Sequence, residues 1–185
     1  WPAFEPHADP NFLQQLQQNG HFHQRTWEMY LGNVLLKKGL KLVHGRNLSP
    51  PIPQGEGPDF VAESGLYIEC VAPTQGAVSN PDAVPDIISA TVNSGLSWHT
   101  LPENEILLRI TQSIKEKSDK YSTRWAGKRC FSSDAPYIIA VNIGLLGHIE
   151  DPNMPYGLKS LFGATAHISF GDKVASIGYH QRDHI

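Results

Sequence analysis

The feature that most constrains the fold is a pair of acidic residues placed within two otherwise apolar, strand-like runs. Asp59 follows Gly57-Pro58 and opens the first run, and Glu69 lies inside the second, Leu66–Val71. An ionised carboxylate in a buried strand is costly unless a cation or hydrogen-bond donors compensate it. Two acids that meet are better explained by a shared cation than by a salt bridge, because like charges repel. The segment therefore predicts a β-hairpin that carries a cation site.

The length of the hairpin loop decides whether the two acids meet. A two-residue loop, Ser64-Gly65, would put Asp59 and Glu69 on opposite faces of the sheet. A three-residue loop, Glu63-Ser64-Gly65 with its glycine in the left-handed conformation, would pair the acids on one face. The sequence leaves both registers open, and the metal hypothesis requires the longer loop.

The order of the predicted elements indicates an α/β fold in one domain over residues 1–185, with a mixed central sheet flanked by helices. The predicted elements are a short helix opened by Asp9-Pro10 that ends near Asn19-Gly20, a helix from Phe22 to Lys38 closed by Gly39, a strand at Lys41–Val43, strands Asp59–Glu63 and Leu66–Val71, a helix opened by Thr100 and Glu103 that ends near Ala126, a strand at Tyr137–Asn142, and a hairpin of His167–Phe170 and Lys173–Tyr179. Residues 72–100 are expected to form a long irregular connection, and residues 143–185 a C-terminal hairpin extension to a core at 22–142. The continuous apolar run at 137–142 is expected to be a central strand covered on both faces.

Helical spacing assigns apolar faces to the two long helices. In the helix from Phe22 the shared face is formed by Trp27, Tyr30, Leu31, Val34 and Leu35, and in the helix from Glu103 it is formed by Ile106, Ile110, Ile114, Tyr121 and Trp125. Lys117 falls inside the second stripe, whereas Lys115 lies on the opposite side, and Lys120 flanks Lys117. A lysine on a core-facing stripe needs a counter-charge, which the pair Asp59 and Glu69 would supply.

Charge and cysteine usage limit the classes of function. The net charge is −3 and the isoelectric point is near 6.3, so a nucleic-acid site must be a local patch rather than a global basic bias. Seven of the 15 basic residues lie between positions 109 and 129, among them the predicted phosphate contacts Arg109, Lys120 and Arg124. The two cysteines have no metal or disulfide spacing, which favours a reducing compartment and a cytoplasmic location. No apolar run approaches the ~18 residues of a membrane span.

These motifs resemble a known nuclease superfamily. Pro58-Asp59, a hairpin and then Ile68-Glu69 resemble the core signature of the PD-(D/E)XK, or restriction-endonuclease-like, nucleases. The helix with Arg25-x-Trp27-Glu28 resembles the first helix of that fold, which often contributes a further acid. The helix through Lys117 and the strand 136–142 also resemble an uncharacterised bacterial group within the superfamily. The resemblance covers residues 22–142.

The resemblance implies a Mg²⁺- or Mn²⁺-dependent phosphodiesterase that acts on DNA or RNA. It assigns the ion to Asp59 and Glu69, with Glu28 as a ligand through water. The family pattern places a lysine two residues after the glutamate, where this chain has Val71. Lys117 is the relocated candidate, which would orient the attacking water or neutralise the scissile phosphate, with Arg109 as a second phosphate contact.

Each of these residues also has a plainer interpretation. Asp59 is the acid that commonly opens a turn after proline, Glu69 would pair with Arg109, Glu28 would lie on the edge of its helix, and Lys117 would extend its amine past the core to water. The absence of lysine at Val71 and the acidic net charge favour an alternative function. In that alternative the chain is a catalytically inactive nuclease-fold domain that binds nucleic acid or protein.

Overall fold

A computed structural model of the chain describes residues 1–53, 56–77, 79, 83–85, 88–91, 97–100, 102–146, 156–157, 160, 164–166 and 177–179. For residues 46, 88–91, 97–100, 164–166 and 177–179 the description is limited to the backbone. The chain divides into two compact units. The first unit contains Trp1–Ala72 and Glu116–Asn142, and the second contains Pro73–Lys115 and Ile143–Ile185. The single domain expected over residues 1–185 stays a prediction.

The described elements are helices α1 (Phe12–Leu16), α2 (Phe22–Lys37) and α3 (Glu103–Lys120), and strands β1 (Leu42–Val43), β2 (Phe60–Ala62), β3 (Tyr67–Val71), β4 (Ile88–Thr91), β5 (Ser97–Thr100), β6 (Tyr137–Val141), β7 (Ala164–Ala166) and β8 (Ile177–Tyr179). Short 3₁₀ turns cover Glu5–His7 and Gly45–Asn47, and a π-helical turn, Tyr121–Trp125, continues α3. In the first unit the sheet order is β1-β2-β3-β6. Strands β1, β2 and β3 are antiparallel neighbours and β6 is parallel to β3, which confirms an α/β class with a mixed sheet.

Both faces of β3 are covered, because its side chains alternate between two hydrophobic clusters. Ile68 and Cys70 pack with Phe4, Phe12 and Phe60, and α2 lays Trp27, Leu31 and Leu35 on that cluster. Tyr67 belongs to the opposite cluster, which contains Ile52, Val61, Trp125 and Phe131. Glu69 follows Tyr67 by two residues and therefore shares the second face with it. On that face β3 presents an acid to a largely apolar layer.

Helix α2 ends as its glycine predicts. Gly39 adopts a left-handed conformation with φ of 85°. Its N–H donates to Leu36 O at 3.0 Å, and the Leu40 N–H donates to Leu35 O at 3.1 Å. These two bonds are the Schellman pattern that satisfies the last carbonyls of a helix. The apolar face is partly different from the prediction, because Tyr30 is 62% exposed and stacks on Trp27 instead of entering the core.

Strand β6 occupies a different position from the predicted one. In the described sheet it is the last strand beside β3, and Ile138 is 46% exposed. The central, doubly covered strand is β3, which carries the buried acid. A continuous apolar run shows that a strand favours burial, but the run does not say which neighbours cover it. Helix α1 is also shorter than predicted, since it begins at Phe12, after Asp9-Pro10.

In the second unit the first part of α3 packs Ile106, Leu107 and Ile110 against Val84, Leu146 and Tyr156. Residues 72–100 were expected to be irregular, but Ile88–Thr91 and Ser97–Thr100 pair as an antiparallel hairpin. Isoleucine, threonine and tryptophan in these strands are typical of β-structure. In the C-terminal extension β7 pairs antiparallel with β8. β8 lies within the predicted strand Lys173–Tyr179, whereas β7 precedes the predicted strand His167–Phe170. The predicted strand 167–170 and the side chain of Thr100 lie outside the described residues.

Candidate active site

The hairpin between β2 and β3 adopts the longer of the two predicted loops. Phe60 pairs with Ile68 and Val61 with Tyr67. The Ala62 N–H donates to Leu66 O at 2.8 Å, which leaves residues 63–65 as a three-residue loop. Gly65 has a φ of 85°, the left-handed conformation that this loop requires. The same register continued by one residue sets Asp59 opposite Glu69 on one face of the sheet, as the metal hypothesis requires.

Asp59 lies in an acidic environment. Its Oδ2 accepts the Cys70 backbone N–H at 2.6 Å, which anchors the carboxylate to the adjacent strand. Burial raises the pKa of Asp59 well above its ordinary value, and the charges of Glu28 and Glu69 raise it further. The Cys70 N–H and Lys117 lower that pKa without cancelling the rise. The hydrogen bond from Cys70 and the positive charge of Lys117 therefore do not offset the burial and the negative charge around Asp59.

Glu69 is only 1% exposed, so its carboxylate is enclosed by the fold. Its Oε1 accepts hydrogen bonds from Lys117 Nζ at 2.6 Å and Lys120 Nζ at 3.0 Å. Its Oε2 is buried and has no hydrogen-bond partner among the described residues. A buried carboxylate oxygen without a donor is costly, so Glu69 has capacity for a further positive ligand.

The structure places Lys117 where its helical phase predicts. Trp125, a residue of the predicted apolar stripe, is buried in the first unit, and Lys117 Nζ lies 2.6 Å from Glu69 Oε1 in the same unit. Burial alone would lower the pKa of Lys117, but the charge and hydrogen bond of Glu69 raise it above the ordinary value. Lys117 therefore keeps its proton and places a positive charge beside Glu69.

Lys120 has a role that the sequence did not assign. It was predicted to contact nucleic acid, but its amine donates to Glu69 and also lies 4.5 Å from the centre of the Trp125 ring. Lys120 follows Lys117 by three residues, and side chains at that spacing lie on neighbouring parts of a helix surface. This spacing is the signal that would have paired both lysines with one acid.

Glu28 completes what we call the acidic cluster: Glu28, Asp59 and Glu69. It is 4% exposed, which excludes the helix-edge interpretation. Gln24 donates to its Oε1 at 2.9 Å, and Arg25 donates to its Oε2. Gln24 also donates to Cys70 O at 3.0 Å and accepts the Ala72 N–H at 2.8 Å, so α2 is tied to β3 beside the acids. Burial raises the pKa of Glu28 although Arg25 and Gln24 oppose the rise.

The other two predicted phosphate contacts lie in different places. Arg109 belongs to the second unit, where its Nε donates to Thr74 O at 2.9 Å. The described partners of Glu69 are the two lysines rather than Arg109. Arg124 is exposed on the π-helical turn of the first unit. Tyr137, which was not predicted, donates its hydroxyl to Lys117 O at 3.3 Å and supports the end of α3.

The acidic cluster has the donor chemistry of a hard divalent cation, since such ions prefer carboxylate oxygens and retain waters. The unpartnered Oε2 of Glu69 and the crowded charge at Asp59 both favour an added cation. Within the part of the chain that the structure describes, no three His, Cys, Asp or Glu side chains are grouped to hold a metal ion directly. The predicted site needs only Asp59 and Glu69 as direct ligands, with Glu28 acting through water, so the residues fit that arrangement.

The fold and site together define an α/β protein with a buried acidic cluster that two lysines partly neutralise. No protein-family model, curated protein or solved structure matches the chain. The superfamily inferred from the motifs therefore stays a prediction. No described helix combines the length and the apolar character that crossing a membrane requires.

Proposed function

We propose that the protein is a divalent-metal-dependent phosphodiesterase of restriction-endonuclease-like fold that cleaves DNA or RNA. The observation that carries the proposal is the acidic cluster itself. Among the described residues, Glu69 keeps a buried oxygen without a partner, opposite an aspartate whose pKa is raised by burial and then by the charges of Glu28 and Glu69. A purely structural site would gain more from a complete set of donors, whereas a cation site must keep oxygens available.

In this proposal Asp59 and Glu69 hold Mg²⁺ or Mn²⁺, and Glu28 contributes through water. The ion would polarise the scissile phosphate and lower the pKa of a water molecule. Lys117 supplies the positive charge that the family places two residues after the glutamate, where this chain has Val71. Its amine lies 2.6 Å from Glu69 Oε1. From that position it would neutralise the phosphate or orient the water.

The non-catalytic alternative also has an observation in its favour. Lys117 and Lys120 both bind Oε1 of Glu69, an ion-pair network that would stabilise a binding domain without any metal. Lys120 and Arg124 would then contact nucleic acid from the same helix end. The two functions differ in whether the protein binds a divalent cation.

The test incubates pure protein with single- and double-stranded DNA and RNA in Mg²⁺, Mn²⁺ or EDTA. We expect divalent-dependent cleavage that Asp59→Asn and Glu69→Gln each abolish. Glu63→Gln, a matched change at an exposed acid of the same hairpin, should leave cleavage unchanged. Cleavage that persists in EDTA or in Asp59→Asn would contradict the mechanism. No cleavage of any substrate, together with no Mn²⁺ binding by calorimetry, would favour the binding domain.

A further inference from the structure

Lys120 is the more exposed of the two lysines that bind Glu69. Its side chain is 32% exposed, against 24% for Lys117, and its amine lies 3.0 Å from Glu69 Oε1, against 2.6 Å for Lys117. Glu69 itself is buried, so both amines approach one oxygen atom of an enclosed carboxylate. Lys120 therefore forms the longer and more accessible of the two ion pairs.

The two lysines also differ in what else holds them. At Lys117 the end of α3 is anchored to β6, because the backbone oxygen of this residue accepts the Tyr137 hydroxyl at 3.3 Å. The amine of Lys120 lies 4.5 Å from the centre of the Trp125 ring, a cation–π contact that does not depend on Glu69. Lys120 therefore keeps a stabilising neighbour if its amine leaves Glu69.

The charge balance of the acidic cluster favours such a departure when a cation binds. Among the described residues, the three carboxyl groups of the cluster face three basic side chains: Arg25 beside Glu28, and the two lysines on Glu69. A divalent cation held by Asp59 and Glu69 would add two positive charges to this balanced set. Three cationic groups on one carboxylate repel one another, so the most loosely held amine is expected to leave.

Lys120 is accessible from two sides. It lines a cavity of the first unit together with Glu28 and Asp59, and it lines a neighbouring groove together with Arg124 and Lys128. Its amine therefore lies between the acidic cluster and a cationic surface. A phosphate oxygen that reached this amine would replace the carboxylate as its negative partner.

We propose that Lys120 is a phosphate ligand that the protein holds on Glu69 until a divalent cation binds. In the metal-free protein its amine is a counter-charge of Glu69. Once the acidic cluster holds a cation, the Lys120 amine leaves Glu69, keeps its contact with Trp125 and donates to an oxygen of the phosphodiester, while Lys117 stays on Glu69. This proposal rests on the proposed function and adds to it a residue that couples metal binding to phosphate binding.

The test compares two affinities of Lys120→Gln with those of the wild-type protein. Calorimetry measures Mn²⁺ binding without phosphate, and phosphorus NMR in Mg²⁺ measures the binding of dimethyl phosphate, a minimal phosphodiester. We expect Lys120→Gln to bind Mn²⁺ about tenfold more tightly, because a competing positive charge is removed. We expect it to bind dimethyl phosphate about tenfold more weakly, because a charge-assisted hydrogen bond is lost. A purely structural residue would weaken both affinities or neither.

Three further variants separate the role of Lys120 from other effects. Lys41→Gln removes one positive charge from an exposed position of the same unit, where the lysine pairs with Glu63 at 3.3 Å, and should leave both affinities within about twofold of the wild type. Lys120→Arg keeps a cation beside Trp125 and should bring both affinities close to the wild-type values. Lys120→Met, whose flexible side chain still covers Trp125, is measured alongside in case the glutamine variant does not fold. Thermal melting in EDTA verifies the folding of all four variants.

An Mn²⁺ affinity that is unchanged or lower in the Lys120 variants without charge would overturn the proposal, even if the wild type is a metal-dependent nuclease. Equal affinities for dimethyl phosphate, or no binding of it by either protein, would also overturn the proposal, because Lys120 would then not bind phosphate. If neither protein binds Mn²⁺, both the proposal and the proposed function are wrong. Failure of the proposed function alone has a different signature. In that case no nucleic acid is cleaved, while the opposite shifts of the two affinities are still measured.

Discussion

Asp59 and Glu69 face each other across the hairpin, but their surroundings differ in charge. Asp59 has one backbone donor, the Cys70 N–H, and its pKa is raised by burial and then by the charges of two acidic neighbours. Glu69 has two lysine amines on Oε1. Neutralising one acid or the other therefore has opposite effects on the metal-free protein.

Asp59→Asn should leave the melting temperature unchanged or raise it at pH 7 in EDTA. The folded-state pKa of Asp59 is above its unfolded value, so the native state holds the proton more tightly between those two values. Stability therefore falls as pH rises through that window, and asparagine removes this cost while its oxygen still accepts the Cys70 N–H. Melting curves at pH 7 and near pH 4 check the result, since the gain should shrink below about pH 4, the ordinary aspartate pKa. A variant that melts well below the wild type at pH 7 would contradict the raised pKa of Asp59.

Glu69→Gln should destabilise the metal-free protein. The change removes the counter-charge of Lys117 and Lys120 while their amines stay at the core-facing site. Breaking one partner of a buried pair costs about 3–5 kcal/mol, and the partial exposure of both lysines reduces this to about 2–3 kcal/mol. Urea denaturation measures the difference, with Glu63→Gln on the same hairpin as the control. An unchanged midpoint for Glu69→Gln would contradict this prediction, because it would show that water solvates the two lysine amines when their counter-charge is removed.

Lys117→Ala should lower turnover more than it lowers Mn²⁺ affinity. Its amine neutralises Glu69 in the free protein, so its removal leaves the acidic cluster more negative and keeps or strengthens cation binding. The loss at the phosphate would be about 100-fold or more in kcat, the effect of removing one electrostatic donor. Steady-state kinetics and calorimetry separate the two quantities, with the exposed Lys115→Ala as the control. A variant that loses Mn²⁺ affinity and keeps kcat would transfer the phosphate role to another residue.

At the scale of elements, α2 meets the N-terminal segment at a glycine. A Cβ at Gly32 would lie 2.6 Å from two ring atoms of Phe4 and 3.1 Å from Phe60. Gly32→Ala gains about 1 kcal/mol of helix propensity, but overpacking a buried ring costs about 1–3 kcal/mol. We expect a net loss of about 1 kcal/mol in chemical denaturation. Gly20→Ala, where a Cβ meets nothing within 4 Å, is the control and should not destabilise. A Gly32→Ala variant as stable as the wild type would show that Phe4 moves aside freely.

The sequence predicts the hairpin strands and the stripe of α3 because their signals are local. Side-chain alternation in a strand and helical phase depend only on neighbouring residues, so Lys117 could be assigned to the core-facing side. The hairpin register could not be chosen, because the sequence around Ser64-Gly65 is compatible with a two-residue and with a three-residue loop. Only the observed pairing of β2 with β3 decides between them.

What the sequence could not predict depends on contacts distant along the chain. The apolar run of β6 looked central, yet β3 takes that place, because sheet order is set by which strands meet rather than by hydrophobicity. Tyr30 matched the helical stripe but stacks on Trp27 at the surface. The burial of Glu28 and the unused oxygen of Glu69 likewise appear only when α2, the hairpin and α3 are brought together.

At the scale of the whole molecule, an acidic protein presents a small cationic surface. The net charge is −3, whereas a groove in the first unit is lined by three cationic residues, Lys120, Arg124 and Lys128. A protein of this charge attracts nucleic acid weakly at long range, so binding depends on the few phosphates that the groove contacts. The number of those contacts is measurable from the effect of salt.

For a fluorescently labelled single-stranded oligonucleotide, one of the substrates of the proposed function, we expect the logarithm of the binding constant to fall with the logarithm of salt concentration with a slope of about −2. Each cation that contacts a phosphate of a single strand contributes about −0.7 to this slope, because it releases a counterion. The groove has three such cations. Anisotropy titrations between about 50 and 200 mM KCl measure the slope, and Arg124→Gln should reduce its magnitude by about 0.7. Arg129→Gln, outside the groove lining, should leave it unchanged. A slope steeper than about −5 would mean that a much larger basic surface binds the strand, and a slope near zero would exclude phosphate contacts at the groove.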